Sequence, residues 1–129
     1  MQNTEISILV VEGDEHTRCQ LVDGLAPKYR CISAESASGA IRLSESQFIH
    51  LALVDVGLPG MSGLTLTRLI VNRNPLTAVI VLSPESNAQL LTEALNAGAS
   101  DYITKPFELS NVVQAVERAL KRYLPEAVA

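Results

Sequence analysis

The sequence predicts an α/β protein in which five β-strands alternate with five α-helices. Three runs, 6–11, 50–56 and 78–83, are almost continuously apolar, which is typical of strands covered on both faces. Apolar residues at helical spacing follow each run. Strands joined in this way form parallel sheets with right-handed crossovers. Five such units in 129 residues favour a doubly wound, flavodoxin-like (βα)5 fold with strand order 2-1-3-4-5.

The individual elements are bounded by capping and breaking residues. Strands are expected over 6–11, 29–34, 50–56, 78–83 and 101–104. Helices are expected from Asp14 to about Ala26, from Ser36 to about Ser46, from the 57–63 loop to before Pro75, from Ser86 or Asn87 to Gly98, and along an apolar stripe from Leu109 to Tyr123. The inward residues of the first four helices are predicted to be Leu21, Val22 and Leu25; Ala37, Ala40 and Ile41; Leu66, Leu69 and Ile70; and Leu91, Ala94 and Leu95.

Charge and composition exclude several classes of function. The net charge of −4 argues against direct binding of nucleic acid or of an anionic membrane by this domain. No apolar run approaches the roughly 18 residues of a membrane span, and the first residues lack the features of a secretory signal. Cys19 and Cys31 each lie in an apolar pattern, so both are predicted to be buried thiols in a reducing compartment. A cytoplasmic location is therefore expected.

Polar residues follow four of the five predicted strands. Glu12 and Asp14 come after strand 1, Asp55 ends strand 3, Ser83 ends strand 4 and Lys105 follows strand 5. Ligands of such folds bind beyond the carboxyl ends of the strands. Converging carboxylates repel one another unless a cation lies among them, and oxygen ligands without His or Cys suit Mg²⁺. The pattern indicates phosphoryl transfer to the Asp55 carboxylate. The alternative is that these acids are only helix caps and solvated turn residues.

The motifs around these residues carry a resemblance to a known family. They are LVDVGLPGMSG around Asp55, VLS ending in Ser83, and DYITKPF with Tyr102 and Lys105. Together they make the chain resemble the receiver domain of two-component response regulators from about Ile6 to Tyr123.

The resemblance implies a role for each matching residue. Asp55 would accept a phosphoryl group from a histidine kinase or a phosphotransfer protein, and Lys105 would pair with the phosphoryl oxygens. Ser83 would turn to hydrogen-bond the phosphoryl group, and Tyr102 would then change rotamer. The face formed by helix 4, strand 5 and helix 5 would be remodelled and could support a homodimer. The backbone carbonyl of Gly57 would help to bind Mg²⁺. No enzyme activity is implied beyond the domain's own phosphoryl transfer and dephosphorylation.

The end of strand 1 departs from the family pattern. Receivers end this strand in two aspartates, whereas this chain has Glu12 and Gly13, followed by Asp14. Gly13 takes the place of a direct metal ligand. Three outcomes are open: Glu12 reaches the metal, Asp14 turns inward, or Mg²⁺ binds poorly and phosphorylation is slow or absent. The predicted metal ligands are thus Glu12, Asp14, Asp55 and the Gly57 carbonyl.

Other departures and alternatives bear on the function. Pro84, where receivers usually have a small residue, borders the phosphoryl pocket and is expected to restrict Ser83. The first rival function is a pseudo-receiver that binds partners or dimerises without phosphorylation. The second is a flavodoxin-like enzyme or FMN binder, in which Lys105 and Ser83 would have no role. Residues 1–124 are expected to form the receiver domain, and residues 125–129 a tail or the start of a linker to an output domain.

Overall fold

Five parallel strands form a single sheet in this computed structural model, which describes residues 3–84 and 86–123. The strands are β1 (Asn3–Val11), β2 (Tyr29–Ala34), β3 (Leu51–Asp55), β4 (Ala78–Ser83) and β5 (Asp101–Thr104). Their order is β2-β1-β3-β4-β5, and every neighbouring pair is parallel. The predicted fold class and strand order are confirmed. Because all strands run in one direction, their carboxyl ends meet at one edge of the sheet, the carboxyl edge.

Five helices connect and follow the strands. They are α1 (Glu15–Leu25), α2 (Ala37–Ser46), α3 (Gly63–Arg73), α4 (Ala88–Asn96) and α5 (Leu109–Tyr123). The side chains of Asp14, Ser36, Ser62 and Asn87 each accept a backbone N–H in the first turn of the helix that follows. Asn87 rather than Ser86 therefore caps α4, and Gly98, at φ +107°, follows its end in the left-handed conformation.

The sheet separates two apolar cores. Alternate residues along each strand point to opposite faces. Ile8 and Val10 pack with α1 and α5, whereas Leu9 and Val11 pack with α2, α3 and α4. The central strands β3 and β4 are buried along their whole length, as their continuous apolar runs predict. The core thus holds the ends of β1, β3 and β4 in fixed register at the carboxyl edge.

Three leucines predicted to face the core are half-exposed instead. Leu69 is 42%, Leu91 42% and Leu95 50% exposed. In α3 the buried face follows Leu66 and Ile70, so Leu69 lies at its flank. In α4 only Ala94 is buried within the helix. The apolar stripe was predicted correctly, but only part of its width is covered.

The two cysteines differ in burial. Cys19 is exposed, and its predicted burial is wrong because Leu21 and Leu25 set the inner face of α1 and Cys19 lies on the other side. Cys31 is partly buried and packs against the core. Burial raises the pKa of the Cys31 thiol to about 11, so this thiol is protonated and unreactive at neutral pH.

Two predictions concern the end of the chain and the absence of a membrane span. Residues 124–129, with the predicted tail, lie outside the described residues. Within 3–84 and 86–123, none of the helices combines the length and the apolar character that crossing a membrane would require.

Candidate functional site

The centre of the carboxyl edge is an ammonium group held between two carboxylates. Lys105 Nζ lies 2.6 Å from Glu12 Oε1 and 3.2 Å from Asp55 Oδ1. The side chains of Glu12 and Asp55 are only 2% and 10% exposed, and that of Lys105 is 23% exposed. Charges that are removed from water to this degree are stable only when they are paired. The three residues therefore form one electrostatic unit, the Glu12–Lys105–Asp55 cluster.

Three strands deliver the cluster. Glu12 directly follows β1, Asp55 ends β3 and Lys105 follows β5. The Lys105 N–H donates to the Ser83 carbonyl oxygen at 2.7 Å, which ties the end of β5 to the end of β4. The convergence of Glu12, Asp55, Lys105 and Ser83 at one edge therefore follows from parallel pairing of strands in this order.

The pKa of Lys105 is raised above its ordinary value of 10.5. Burial acts in the opposite direction, but it is more than offset by the hydrogen bond and the charge of Glu12 and by the charge of Asp55. A folded-state pKa above the unfolded one stabilises the fold at every pH below about 10.5 and ceases to do so as the pH rises through the folded value. Lys105 is therefore protonated throughout the neutral range.

Both oxygens of Glu12 have partners. Oε1 accepts from Lys105, and Oε2 accepts the Asp14 backbone N–H at 3.1 Å. Arg18, which the sequence reasoning did not single out, donates through Nη1 to the Glu12 carbonyl oxygen at 2.8 Å and to the Gly13 carbonyl oxygen at 3.4 Å. Its side chain is 16% exposed. A basic residue near the start of a helix is a common pattern, so the sequence does not predict these hydrogen bonds of Arg18 to the backbone of Glu12 and Gly13.

Asp14 is turned away from the cluster. Its Oδ2 accepts both the backbone N–H of Thr17 at 2.9 Å and the Thr17 hydroxyl at 2.7 Å. The hydrogen bond from the Thr17 hydroxyl has the larger effect and that from the Thr17 N–H the smaller, and both lower the pKa of Asp14 below its usual 3.8. From the sequence we predict that Asp14 both caps α1 and binds metal. Its carboxylate forms the cap. Its role as a metal ligand stays a prediction. Among the described residues, no three His, Cys, Asp or Glu side chains lie where they could hold a metal together.

The loop after β3 lies against Asp55. A Cβ on Gly57 would lie 3.8 Å from Asp55 Oδ2, so this glycine borders the other carboxylate oxygen from the one that accepts from Lys105. A Cβ on Gly63 would collide with the carbonyl oxygen of Asp55. Gly63 also donates its N–H to the Val56 carbonyl oxygen at 3.0 Å. Glycine at 63 is therefore required for α3 to begin directly against the backbone of Asp55.

The two predicted switch residues occupy neighbouring strands. Ser83 is fully buried at the end of β4, and Tyr102 in β5 is partly buried against the core on the α2–α4 side of the sheet. Ser83 pairs with Thr104 in the register of β4 and β5, and Val81 pairs with Tyr102. Pro84 is exposed directly after Ser83. The structure thus brings Ser83 to the same edge as Asp55 and Lys105, and the movements predicted for Ser83 and Tyr102 stay predictions.

The oxygen donors at this edge fit Mg²⁺ with a reduced set of protein ligands. Mg²⁺ keeps several waters and needs one or two carboxylates in addition to phosphoryl oxygens. Asp55, Glu12 and the backbone of Gly57 would supply them, whereas Asp14 is held by Thr17. Gly13 contributes no side chain, so we expect weaker metal binding than a site with three carboxylates would have.

Replacing Asp14 separates its capping role from a metal role. Asp14→Ala should lower the thermal midpoint, because α1 loses the acceptor for the Thr17 N–H, whereas Asp14→Asn should retain most of the cap. Because the folded-state pKa is depressed, the advantage of wild type over Asp14→Asn should be present above pH 3.8 and fade as the pH falls below it. Because the Asp14 carboxylate is engaged in the cap, we expect neither variant to change Mg²⁺ affinity in a calorimetric titration. A tenfold loss in Asp14→Asn would instead support the sequence prediction that Asp14 is a metal ligand.

A methyl group at position 63 should displace Asp55. We expect Gly63→Ala to lower the free energy of unfolding by about 2 kcal/mol or more, as overpacked sites do, because the new Cβ would collide with backbone atoms. Gly13→Ala is the matched control, since a Cβ there would meet its nearest atoms at 3.8 Å. Urea unfolding of both variants tests the difference, and equal stabilities would contradict it.

Comparison with known proteins identifies the family of this chain. The protein-family model of the response regulator receiver domain matches residues 8–117. The chain is 32% identical over 117 residues to the DNA-binding transcriptional regulator NtrC of Escherichia coli (strain K12), covering 90% of this chain and 25% of NtrC. It is 32% identical over 118 residues to the two-component response regulator PhoP of Pseudomonas aeruginosa, covering 91% of this chain and 52% of PhoP. The chain therefore spans a quarter to about half of the length of these relatives.

A solved structure shows the same fold at nearly full coverage. The CheY-like response regulator receiver domain protein of Methanospirillum hungatei JF-1 superposes with a TM-score of 0.88 at 26% identity, covering 94% of this chain and 98% of that protein. The family match, the relatives and the strand order point the same way, and this chain belongs to the response regulator receiver domain family of two-component signal transduction.

Proposed function

We propose that this chain is a phosphoacceptor receiver whose Asp55 takes a phosphoryl group from a histidine kinase or a phosphotransfer protein. The observation that carries the proposal is the nearly buried Asp55 carboxylate 3.2 Å from the Lys105 ammonium at the carboxyl edge. An aspartate that served only as a turn residue would not need a partly buried cation beside it. The domain has no proposed catalysis beyond its own phosphoryl transfer and dephosphorylation.

The transfer can be written with the groups present. An oxygen of Asp55 attacks the phosphorus of a phosphohistidine; the new O–P bond forms as the P–N bond breaks, and the leaving imidazole takes a proton from solvent. We assign the attack to Oδ2, because Oδ1 faces Lys105 while Oδ2 borders Gly57. Mg²⁺, held by Asp55, Glu12 and the Gly57 carbonyl, would reduce the repulsion between the carboxylate and the incoming phosphoryl group.

Phosphorylation would change the partners of Lys105. A phosphoryl group on Asp55 offers Lys105 new anionic oxygens in place of the single Asp55 contact, so Lys105 would be drawn from Glu12. Ser83 ends the neighbouring strand and would hydrogen-bond the phosphoryl group, and Tyr102 would follow. The bistable element would be the face of α4, β5 and α5, on which Arg118 and Asp101 form an exposed ion pair at 3.4 Å.

This face is also the proposed partner surface. We assign to it a homodimer contact or the contact with an output partner, reached without direct binding of nucleic acid or membrane by this domain. The half-exposed Leu91 and Leu95 of α4 could supply apolar area to such a contact. Receipt of a phosphoryl group that originates from ATP would place the domain in the cytoplasm.

A pseudo-receiver is the second candidate, and a specific observation favours it. Glu12 already has partners at both oxygens, Asp14 is engaged by Thr17, and the Lys105 ammonium contacts both carboxylates of the centre and offsets part of their charge. In that case the same fold would bind its partners constitutively. The two functions differ in whether Asp55 can be modified.

Beryllofluoride, a mimic of a phosphoryl group on a carboxylate, tests the proposal at the level of structure. In ¹⁵N–¹H spectra of the whole chain, beryllofluoride with Mg²⁺ should shift the amides next to Asp55, Ser83 and Lys105 and those of α4, β5 and α5. Asp55→Asn should abolish every shift. Spectra that do not change for the folded wild-type chain would support the pseudo-receiver.

A further inference from the structure

A cavity lies between α2, α3 and the sheet, away from Asp55. Its volume is about 140 Å³, and its apolar lining consists of Leu9, Ile41, Ile49, Ala52, Leu69 and Ile70. Ile49 precedes β3 and Thr77 precedes β4, whereas Ala52, the lining residue nearest to Asp55 along β3, is three positions before it, about 10 Å along an extended strand. The cavity thus extends from the middle of the sheet toward the amino ends of β3 and β4, and no residue of the phosphoacceptor site lines it.

Two hydroxyl groups and one amide oxygen in the lining of the cavity are engaged in hydrogen bonds within the protein. The Thr77 hydroxyl donates to the Ile49 carbonyl oxygen at 2.6 Å, the Ser44 hydroxyl donates to the Ile41 carbonyl oxygen at 2.8 Å, and Asn74 Oδ1 accepts the Leu76 N–H at 3.2 Å. A buried water needs two to four polar partners. The lining therefore favours apolar contents over water.

The mouth of the cavity combines an apolar side chain with a cation. Leu69 is 42% exposed although it lines the cavity, so it has apolar surface that an occupant would cover. Arg73, which also lines the cavity, forms an ion pair with Glu45 at 2.7 Å, and both side chains are about half-exposed at 53% and 54%. An exposed pair of this kind contributes little stability, so the guanidinium can exchange Glu45 for another carboxylate at small cost.

We propose that this cavity binds a small aromatic or branched aliphatic carboxylic acid, with its apolar body inside and its carboxylate on Arg73. The volume sets the size, since an engineered apolar cavity of about 150 Å³ in another protein takes up benzene. The hydroxyls and the amide oxygen of the lining are engaged in the protein's own hydrogen bonds, which favours an apolar ligand body. The planar guanidinium of Arg73 favours a ligand with a carboxylate group, because arginine binds carboxylates through two parallel hydrogen bonds. Occupancy does not depend on phosphorylation of Asp55.

Benzoate and its neutral analogue benzyl alcohol are suitable probes. Each is titrated into the whole ¹⁵N-labelled chain at constant ionic strength, and amide shifts are mapped. Benzoate should shift the amides that line the cavity and should bind several-fold more tightly than benzyl alcohol. Arg73→Gln should weaken benzoate about three- to tenfold, a range reduced because Arg73 is half-exposed, and should leave benzyl alcohol within about twofold.

Filling the cavity provides the second arm of the test. Leu69→Trp and Ser44→Leu both add apolar volume to the lining, and one of them should remain folded, as judged by the dispersion of its amide spectrum. The folded variant should lose binding of both probes. Shifts centred on Asp55, an unchanged benzoate preference in Arg73→Gln, or full binding by a filled variant would overturn the proposal. So would a folded wild type that binds neither probe, a result that would leave the cavity to an apolar side chain of a partner protein.

Discussion

Lys105→Met is expected to lower the free energy of unfolding by about 3–5 kcal/mol at pH 7, the range found when one partner of a buried ion pair is removed. The variant leaves the Glu12 carboxylate, which is 2% exposed, without its cation. Asp55 loses its 3.2 Å contact with the ammonium as well. Methionine fills much of the space of the lysine stem, so the loss reports charge rather than volume. Urea unfolding at pH 7 measures it.

Two further variants isolate the buried charge. Lys28→Met removes an exposed ion pair, that of Lys28 and Glu117 at 3.2 Å with side chains 57% and 41% exposed, and should change stability by less than about 1 kcal/mol. Adding Glu12→Gln to Lys105→Met removes the stranded charge while keeping an oxygen for the Asp14 N–H, and should recover part of the lost stability. Equal effects of Lys105→Met and Lys28→Met would contradict the cluster as an electrostatic unit.

Gly13→Asp should raise the affinity for Mg²⁺ at least about tenfold, because affinity for hard cations rises with the number of charged oxygen ligands. The backbone allows the change: Gly13 does not have positive φ, and an added Cβ would meet only the Glu35 carbonyl oxygen and Pro59 Cδ, both at 3.8 Å. Pro59 belongs to the loop that follows Asp55, so the new side chain would begin beside the Glu12–Lys105–Asp55 cluster. Calorimetric titration with Mg²⁺ measures the gain.

The stability of Gly13→Asp should also become dependent on metal. Without Mg²⁺ the third carboxylate repels Glu12 and Asp55, and the variant should be less stable than Gly13→Ala. With Mg²⁺ its thermal midpoint should rise more than that of Gly13→Ala, because a ligand bound only by the folded state stabilises it. An affinity no higher than that of Gly13→Ala would mean that metal does not bind at this edge, and it would favour the pseudo-receiver.

The fold was predictable because its determinants are local and repeated. Short, almost continuous apolar runs such as 50–56 and 78–83 are typical of strands buried on both faces, and the caps Asp14, Ser36 and Asn87 mark helix starts through their own side chains. Parallel pairing then places the end of each strand at one edge. The meeting of Asp55 with Lys105, 50 residues apart in sequence, follows from this topology.

The orientation of individual side chains was less predictable. An acid after a strand can turn toward a site or cap the next helix, and Asp14 satisfies both patterns; the two hydrogen bonds from Thr17 decide for the cap. Leu69 lies on the predicted stripe of α3, yet the neighbouring helix leaves space beside it. Arg18 has no pattern of its own, because its partners are backbone carbonyls that the sequence does not mark.

The central claim is that Asp55 accepts a phosphoryl group even though Gly13 replaces a metal ligand. Its most direct test is the intact mass of the chain after incubation with acetyl phosphate, with and without Mg²⁺, for wild type and Asp55→Asn. We expect a single phosphoryl adduct that needs both Mg²⁺ and Asp55. A folded wild-type chain that gains no adduct under any of these conditions would contradict the claim.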